Sequence, residues 1–352
     1  MDRRLPDIDD YLNFPNREIH TDDPHPLEKA PSYNQAAMDE AFQAFLKEKR
    51  TGAFVVLQHG KVIYEQYDEG LSQQTISGSF SMAKSITSLL VGKALELGWI
   101  RSLDEPVSHY LPEYNFSEDR RLTIRRLLTM SAGLKWDEKY YNPLGLPVKA
   151  YYGNDLQEVL SELRNRKEPG VEFEYQSIST QILAEILYKV SGKNLSQLLE
   201  TFFWKPMQME SDARWSLDHE DGREKAFCCF NATARDYARL GQLLLQKGQW
   251  NGRQLISADY LKEAVTPASY LMHKGKPVSH YGYQFIIMNY KGHTVHYYVG
   301  HLGQFIFTIP DLDAVVVRLG HEIEHEFDDD GHYVEAYTFF DAGLNILQQQ
   351  NL

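Results

Sequence analysis

A serine and a lysine stand three residues apart where a helical pattern begins, in the sequence SFSMAKSITSLL (residues 79–90). Residues at this spacing lie on one face of a helix, so the side chains of Ser81 and Lys84 can touch. The first turn of a helix also supplies free backbone N–H groups and a positive potential beside Ser81. A serine in this place can act as a nucleophile, because its own N–H can stabilise the oxyanion that its attack creates. The alternative is an N-capping serine followed by a surface lysine, and the spacing alone does not decide between the two.

Two further short elements could complete such a site. The segment EFEYQSIST places Tyr175 and Ser177 just before a second helical pattern, and YYVGHLGQF places His301, Leu302 and Gly303 among predicted strands. A tyrosine and a lysine packed together with little water titrate as a unit, and either one can then take the proton of a nearby serine. A tyrosine buried in the core is the alternative for Tyr175.

With these three elements in this order, the sequence resembles the serine β-lactamase and penicillin-binding-protein superfamily, whose elements are S-x-x-K, S-x-N or Y-x-N, and K-T-G. It is most similar to the class C branch, which includes class C β-lactamases, D-alanyl-D-alanine peptidases, carboxylesterases and 6-aminohexanoate-dimer hydrolase. The order and spacing agree over residues 50–320, and the phrases LDEPVSHYLPEY and LTIRRLLTMSAGL are typical of that branch.

The resemblance implies roles for individual residues. Ser81 would be the acylated nucleophile, and Lys84 and Tyr175 would move its proton, with the choice of base between them left open. The second N–H of the oxyanion hole, beside that of Ser81, would come from Gln304, which follows the third element. The resemblance implies no metal and no cofactor.

Two positions depart from the pattern of the family. Ser177 stands where asparagine is usual, and its hydroxyl can still hydrogen-bond Lys84 although it offers fewer donors. The third element reads H-L-G, so His301, mostly neutral at pH 7, replaces the lysine that receives a substrate carboxylate in the family. Gly303 keeps the absence of a side chain, which leaves room for a substrate beside the strand. Ser177, His301 and Gly303 are therefore expected to bind substrate.

The segment LKWDEKYYNPLGLPVKAYYG (residues 134–153) is rich in aromatic residues, glycine and proline, and is the expected wall of the pocket. Tyr140 and Tyr152 are its candidates for contact with substrate, and packing at the surface is the alternative for both. Whether the segment moves as a lid is left open.

The hydrophobic patterns around these elements predict an α+β fold in two parts. Residues 1–34 would form an extended arm. Residues 35–100 and 276–352 would form an antiparallel sheet, with a hairpin turn at His59–Gly60, flanked by an N-terminal and a C-terminal helix. Residues 101–275 would be a mostly helical domain, with the active site between the two parts.

Helical patterns also predict where the main helices lie. The first helix is expected within residues 32–49, and the last within residues 332–349. An amphipathic helix is expected from Ser81 to about Gly98, with one face buried.

The overall composition fits an ordinary enzyme. The 352 residues carry a formal net charge of −13, which argues against nucleic acid or an anionic membrane as partner. The sequence shows no signal peptide and no membrane-spanning run, so a cytoplasmic protein is expected. Cys228 and Cys229 are expected as buried thiols, because neighbouring cysteines bridge only with strain.

The expected function is hydrolysis of small esters or amides through an acyl-enzyme on Ser81, and a homodimer is left open. One alternative is a true β-lactamase or D-Ala-D-Ala peptidase. Another is a zinc hydrolase, because His321, Glu322 and His325 spell H-E-x-x-H, although the acidic turn that follows leaves little room for the helix this motif needs. A catalytically silent binding protein with the same fold is the third.

Overall fold

The computed structural model describes residues 6–140, 142 and 145–351. The helices are α1 (Glu40–Glu48), α2 (Met82–Glu96), α3 (Ile124–Leu128), α4 (Leu146–Tyr152), α5 (Leu156–Glu162), α6 (Ile178–Ser191), α7 (Leu195–Leu199), α8 (Ala234–Leu245), α9 (Ala258–Ala264) and α10 (Val334–Gln348). The strands in the first part of the chain are β1 (Asn16–Ile19), β2 (Thr51–Gln58), β3 (Lys61–Tyr67), β4 (Ser77–Gly78), β5 (Ala213–Ser216) and β6 (Phe230–Ala232). They are followed by the short pairs β7 (Gln249–Trp250), β8 (Arg253–Gln254), β9 (Met272–His273) and β10 (Lys276–Pro277), and then by β11 (Ile286–Tyr290), β12 (His293–Gly300), β13 (Gln304–Ile309) and β14 (Ala314–Gly320).

One six-stranded antiparallel sheet forms the centre of the fold. Its strand order is β11-β12-β13-β14-β2-β3, so β2 and β3 from the first part of the chain complete a sheet built mainly from the last part. The hairpin between β2 and β3 turns at His59–Gly60, where both residues have positive φ angles of 50° and 74°. Such angles suit a two-residue hairpin turn. The predicted antiparallel sheet and its hairpin are confirmed.

Helices cover both faces of this sheet. Along β14, Val316 packs on one face with α1 and α10, whereas Val315 and Val317 pack on the other face with α8 and α2. Side chains of a strand alternate between faces, so this run of valines serves two cores at once. The predicted flanking by an N-terminal and a C-terminal helix is confirmed, and α10 lies within two residues of its expected bounds.

Helix α1 begins later than the pattern predicts. Met38 is buried and was counted with the helix, but Asp39 has an extended backbone (φ −56°, ψ 143°) and the helix starts at Glu40. The residues before it form turns. Burial of Met38 against the sheet therefore gives a helical spacing of apolar residues without a helix.

Helix α2 is buried on almost every side, where the sequence predicts one buried face. Small residues allow this, since a Cβ on Gly92 would lie 2.4 Å from the ring of Tyr260. Its polar residues find partners inside, as when Ser88 Oγ donates to the carbonyl of Tyr283 at 2.7 Å. A helix that carries Ser81 at its start is thus fixed from all sides.

A second, smaller sheet supports the start of α2. Its order is β1-β5-β6-β4, so the segment expected as an extended arm contributes strand β1. The amide of Gly78 on β4 donates to the carbonyl of Ile8 at 2.7 Å, and that of Ser79 to Phe230 at 2.8 Å. The loop that leads into Ser81 is therefore held by the arm and by β6. The division into domains remains a prediction.

Within the described residues, no helix has the combination of length and apolar character that crossing a bilayer requires.

The guanidinium of Arg318 on β14 is buried and joins several parts of the chain. It donates to the carbonyls of Leu302 at 2.6 Å and Gly303 at 2.9 Å, and also to that of Lys49. A further donor reaches the carbonyl of Glu322 at 3.1 Å. Each of these oxygens would lack this partner if the guanidinium were removed, and an unsatisfied buried polar group is costly.

We expect Arg318→Met to lower the free energy of unfolding by roughly 3 kcal/mol or more, because several buried carbonyls lose a donor. Urea denaturation followed by circular dichroism measures this change. Arg214→Met is the matched control, since the Arg214 side chain is 40% exposed and its ion pair is with exposed Glu18, so its loss should cost no more than about 1 kcal/mol. Equal losses in the two variants would contradict the role given to Arg318.

Candidate active site

Ser81 and Lys84 touch at the start of α2. Lys84 Nζ lies 2.7 Å from Ser81 Oγ and donates to the carbonyl of Phe227 at 2.8 Å. Ser81 occupies the N-cap position, but its side chain makes no capping bond, so its hydroxyl faces the lysine. Burial lowers the pKa of Lys84 to about 7, and the negative charge of Glu138 acts in the opposite direction. Lys84 can therefore exist in both protonation states near neutral pH.

Tyr175 completes the group around the Ser81 hydroxyl. Its hydroxyl lies near enough to Ser81 for that side chain to lower its pKa, and Lys84 Nζ lies 5.1 Å from the centre of its ring. The ring meets that of Tyr281 edge-on at 6.3 Å. Burial and, next, the charge of Glu138 raise the pKa of Tyr175 far above its ordinary value, against the smaller lowering effect of the Ser81 side chain. The three residues selected from the sequence thus come together, with the phenol held protonated.

Ser177 makes a different contact from the one expected. Its hydroxyl donates to Oε1 of Glu138, and its amide donates to Oε2 of the same carboxylate at 2.9 Å. A bond from this hydroxyl to Lys84 was considered possible, but Lys84 contacts Ser81 and the carbonyl of Phe227 instead. Ser177 lies at the N-cap of α6 beside the 134–140 stretch, so the Glu138 carboxylate is within hydrogen-bond distance of it.

The third element forms a tight turn between β12 and β13. His301 packs between the rings of Phe80 at 5.4 Å and His325 at 5.1 Å. Burial, with a smaller effect from His325, lowers the pKa of His301 to about 4. His301 is accordingly neutral at pH 7, as expected, and supplies no positive charge.

Gly303 is required by the fold around it. It has φ +77°, and a Cβ there would lie 2.6 Å from Nη1 of Arg318 and 3.2 Å from Ile323. The space beside its Cα is therefore filled by protein atoms, whereas the sequence analysis attributed the missing side chain to the approach of a substrate. Its role in binding substrate remains a prediction.

Gln304 is the first residue of β13 and pairs with Gly300 across the turn. Its side chain is fully buried and donates to the carbonyls of His301 at 3.0 Å and Gly320 at 2.6 Å. These bonds fix the turn from inside. The backbone N–H of Gln304 as an oxyanion donor remains a prediction.

The two tyrosines of the expected pocket wall have different surroundings. Tyr140 is 37% exposed and its hydroxyl donates to Glu138 Oε1 at 2.9 Å, which places it beside the site. Tyr152 is 42% exposed, lies on α4 and packs edge-on against Tyr151 at 4.7 Å. Contact of either with substrate remains a prediction. Within the same wall, residues 141, 143 and 144 lie outside the described residues.

The H-E-x-x-H segment does not form the helix that a zinc protease motif needs. Residues 321–326 are not helical, and the two histidines have separate partners. His321 Nδ1 lies 2.6 Å from Asp7 Oδ1, whereas His325 stacks on His301. Within the described ranges, no group of three metal-binding side chains comes together. This geometry gives no support to the zinc alternative.

The prediction of free thiols at Cys228 and Cys229 is wrong. Both residues are buried, but their sulfurs are bonded to each other. Cys229 has a left-handed backbone (φ 69°), a local conformation that the identity of the residues does not reveal. The bonded pair directly follows Phe227, whose carbonyl accepts from Lys84.

Glu138 is the residue at this site that the sequence analysis missed. It lies in the predicted pocket wall, in which only Tyr140 and Tyr152 were predicted to contact substrate. No spacing rule links it to Ser177, which follows 39 residues later. Only the folded chain brings the two together.

Gly300 is the point where β12 approaches the loop that leads into Ser81. A Cβ at this position would lie 2.2 Å from the carbonyl oxygen of Ser79. Its backbone is extended (φ −130°, ψ 159°), a conformation open to any residue, so the obstacle to a side chain is purely one of space.

We expect Gly300→Ala to lower kcat/KM by about 10²-fold, because β12 or the Ser79 loop has to move and reacting groups are displaced. Stability should fall by about 1–3 kcal/mol, the usual cost of overpacking. Gly292→Asn in the turn before β12 is the control, since a Cβ there meets no atom within 4 Å and asparagine tolerates its φ of +84°. Full activity of Gly300→Ala would show that the close contact between β12 and the Ser79 carbonyl is not needed for activity.

The chain is similar in sequence to proteins of a known family. A family model described as beta-lactamase matches residues 38–335. A 6-aminohexanoate-dimer hydrolase of Paenarthrobacter ureafaciens is 28% identical over 295 residues, which cover 78% of this chain and 73% of that protein. A beta-lactamase of Escherichia coli is 25% identical over 164 residues, covering 45% of this chain and 41% of the other.

Solved structures share the fold over nearly the whole chain. A Bacillus anthracis protein assigned as a 6-aminohexanoate-dimer hydrolase superposes with a TM-score of 0.81, at 23% identity, over 96% of this chain and 92% of its own. A family VIII carboxylesterase superposes with a TM-score of 0.66, at 17% identity, over 91% and 99% of the two chains. The match of residues 38–335, with the shared α+β fold, shows that this chain belongs to the beta-lactamase family.

Proposed function

We propose that this protein is a serine hydrolase that cleaves small esters or amides through an acyl-enzyme on Ser81. The observation that carries the proposal is the contact of 2.7 Å between Ser81 Oγ and a buried lysine whose pKa burial lowers to about 7. An amine in this state can accept the proton of the serine hydroxyl at neutral pH. The hydrolases among the similar proteins support the same general activity.

Acylation follows from the placement of the three side chains. Ser81 Oγ attacks the substrate carbonyl while its proton passes to neutral Lys84, and the negative charge moves to the carbonyl oxygen. The amides of Ser81 and Gln304 then donate to this oxyanion. When the intermediate collapses, the bond to the leaving alkoxide or amine breaks, and that group takes a proton through the Tyr175 hydroxyl and Lys84.

Deacylation uses the same groups in reverse order. A water molecule attacks the acyl-enzyme, gives one proton to the Lys84–Tyr175 pair, and adds hydroxide to the carbonyl carbon. Collapse breaks the bond to Ser81 Oγ, which regains its proton, and the carboxylic acid leaves. In this scheme Lys84 is the base, because burial lowers its pKa and raises that of Tyr175.

We expect Ser81→Ala to abolish both hydrolysis of p-nitrophenyl esters and labelling by a fluorophosphonate probe, because the nucleophile is removed. Intact-mass measurement detects the label, and circular dichroism checks the fold. Ser72→Ala, a change of an exposed serine before the site, should keep full labelling. Hydrolysis at the wild-type rate by Ser81→Ala would rule out the proposed mechanism.

The charges near the third element favour substrates without a carboxylate close to the scissile bond. His301 is neutral at pH 7, and Glu138 places a negative charge near Lys84 and Tyr175. A penicillin or a D-Ala-D-Ala peptide carries a carboxylate that the family meets with a cation. Esters, and linear amides whose carboxylate lies at the far end of an alkyl chain, need no such cation.

We expect kcat/KM for p-nitrophenyl butyrate to exceed that for a chromogenic cephalosporin at pH 7.5. His301→Lys should move this ratio toward the cephalosporin by about tenfold, the effect of about 1.4 kcal/mol of added ion pairing. His301→Gln, neutral like the histidine at this pH, is the control and should leave the ratio in place. Efficient turnover of the cephalosporin by the wild-type protein would contradict this substrate class.

A further inference from the structure

The carboxylate of Glu138 receives hydrogen bonds from four donors at the edge of the site. Trp136 Nε1 donates to Oε2 at 2.5 Å, and the Tyr140 hydroxyl donates to Oε1 at 2.9 Å. The amide of Ser177 donates to Oε2 at 2.9 Å, and its hydroxyl donates to Oε1. An ionised carboxylate offers about four lone-pair positions, so this one is fully used as an acceptor. It joins the 134–140 stretch to the start of α6.

The contact between Glu138 and Ser177 lies two residues along the chain from Tyr175. Glu138 is the charge that raises the pKa of Lys84 and, after burial, the largest influence on that of Tyr175. It also raises the pKa of Tyr140 and Tyr281, both of which face the same group. The carboxylate therefore acts on the proton-transferring pair both through hydrogen bonds to the chain and through its field.

We propose that Glu138 is a positioning residue of this hydrolase, which holds Tyr175 in place through Ser177 and stabilises the lysinium that Lys84 becomes when it takes the serine proton. The inference rests on the proposed function. It explains how the Y-x-S element works without the usual asparagine, since the bond that Ser177 makes goes to a fixed anion. A fixed negative charge near a cation that forms during the reaction lowers the barrier, because it needs no reorganisation.

The pH dependence separates this role from a merely structural one. Lys84 must be neutral to accept a proton, so activity rises with pH through the pKa of Lys84. Glu138 raises that pKa, so removing its charge should lower it. Groups that face Lys84 or Glu138 and titrate are Tyr175, Tyr140 and Tyr281, and the pKa of each phenol is raised above its ordinary value, so all three stay protonated over this pH range.

The experiment measures kcat and kcat/KM for p-nitrophenyl butyrate between pH 5 and 9. Glu138→Gln should lower the plateau of kcat by about 10- to 10²-fold. It should also move the acid-side midpoint about one unit toward lower pH. Glu138→Asp keeps the charge with a shorter reach, so its plateau should fall while its midpoint stays at the wild-type value. Asp137→Asn removes an exposed carboxylate of the same loop, paired with Lys139, and should change neither quantity.

A wild-type plateau in Glu138→Gln, or a lowered plateau with an unmoved midpoint, would overturn the proposal. If Glu138→Gln does not fold, Glu138→Asp decides, because a wild-type plateau in that variant contradicts the positioning role. Fluorophosphonate labelling of wild-type Ser81 tests the hydrolase separately. If the wild-type protein is not labelled, the proposed function itself is wrong. If it is labelled but the pH profile of Glu138→Gln matches that of the wild type, only the role given to Glu138 is wrong.

Discussion

A lysine nitrogen that is almost completely removed from water needs oxygen atoms around it, and the structure near Ser81 is arranged to provide them. Lys84 is 2% exposed, and its nitrogen contacts one hydroxyl on its own helix and one main-chain carbonyl from far along the chain. The surroundings determine its protonation, because burial disfavours the charged form. Strand β6 and the turn after β12 hold the loop that leads into Ser81, and the Phe227 loop reaches the lysine nitrogen itself.

The loop that carries the Phe227 carbonyl is held in place by several distant segments of the chain. Glu224, at its start, accepts from Arg17 at 2.8 Å and from the amide of Ser196 at 3.1 Å. Trp215 Nε1 donates to the carbonyl of Cys228 at 3.1 Å. These bonds come from the arm, from α7 and from β5, so a contact made by one catalytic candidate depends on three distant segments. These bonds and the close packing of the interior limit the movement of the Phe227 carbonyl.

Much of this arrangement could be predicted from the sequence, and the remainder has a common cause. Helix α10, the hairpin at His59–Gly60 and the meeting of Ser81 with Lys84 follow from local periodicity and spacing, which short stretches of sequence record. The all-round burial of α2, the bonds of Arg318 and the carboxylate of Glu138 depend on partners from remote parts of the chain. A single sequence does not specify these pairs, so the bond between Ser177 and Glu138 could not be predicted from it.

The segment that precedes the first helix has a practical consequence for the design of fragments. The family match begins at residue 38, yet Ile8 supplies the acceptor for Gly78, Asp7 meets His321, and Asp10 accepts from Tyr151 at 2.7 Å. A fragment cut at the family boundary would lose strand β1 and expose the edge of β5 to solvent. The unit that should be expressed for crystallisation or directed evolution therefore begins before Asp7, with the first turn of the arm retained.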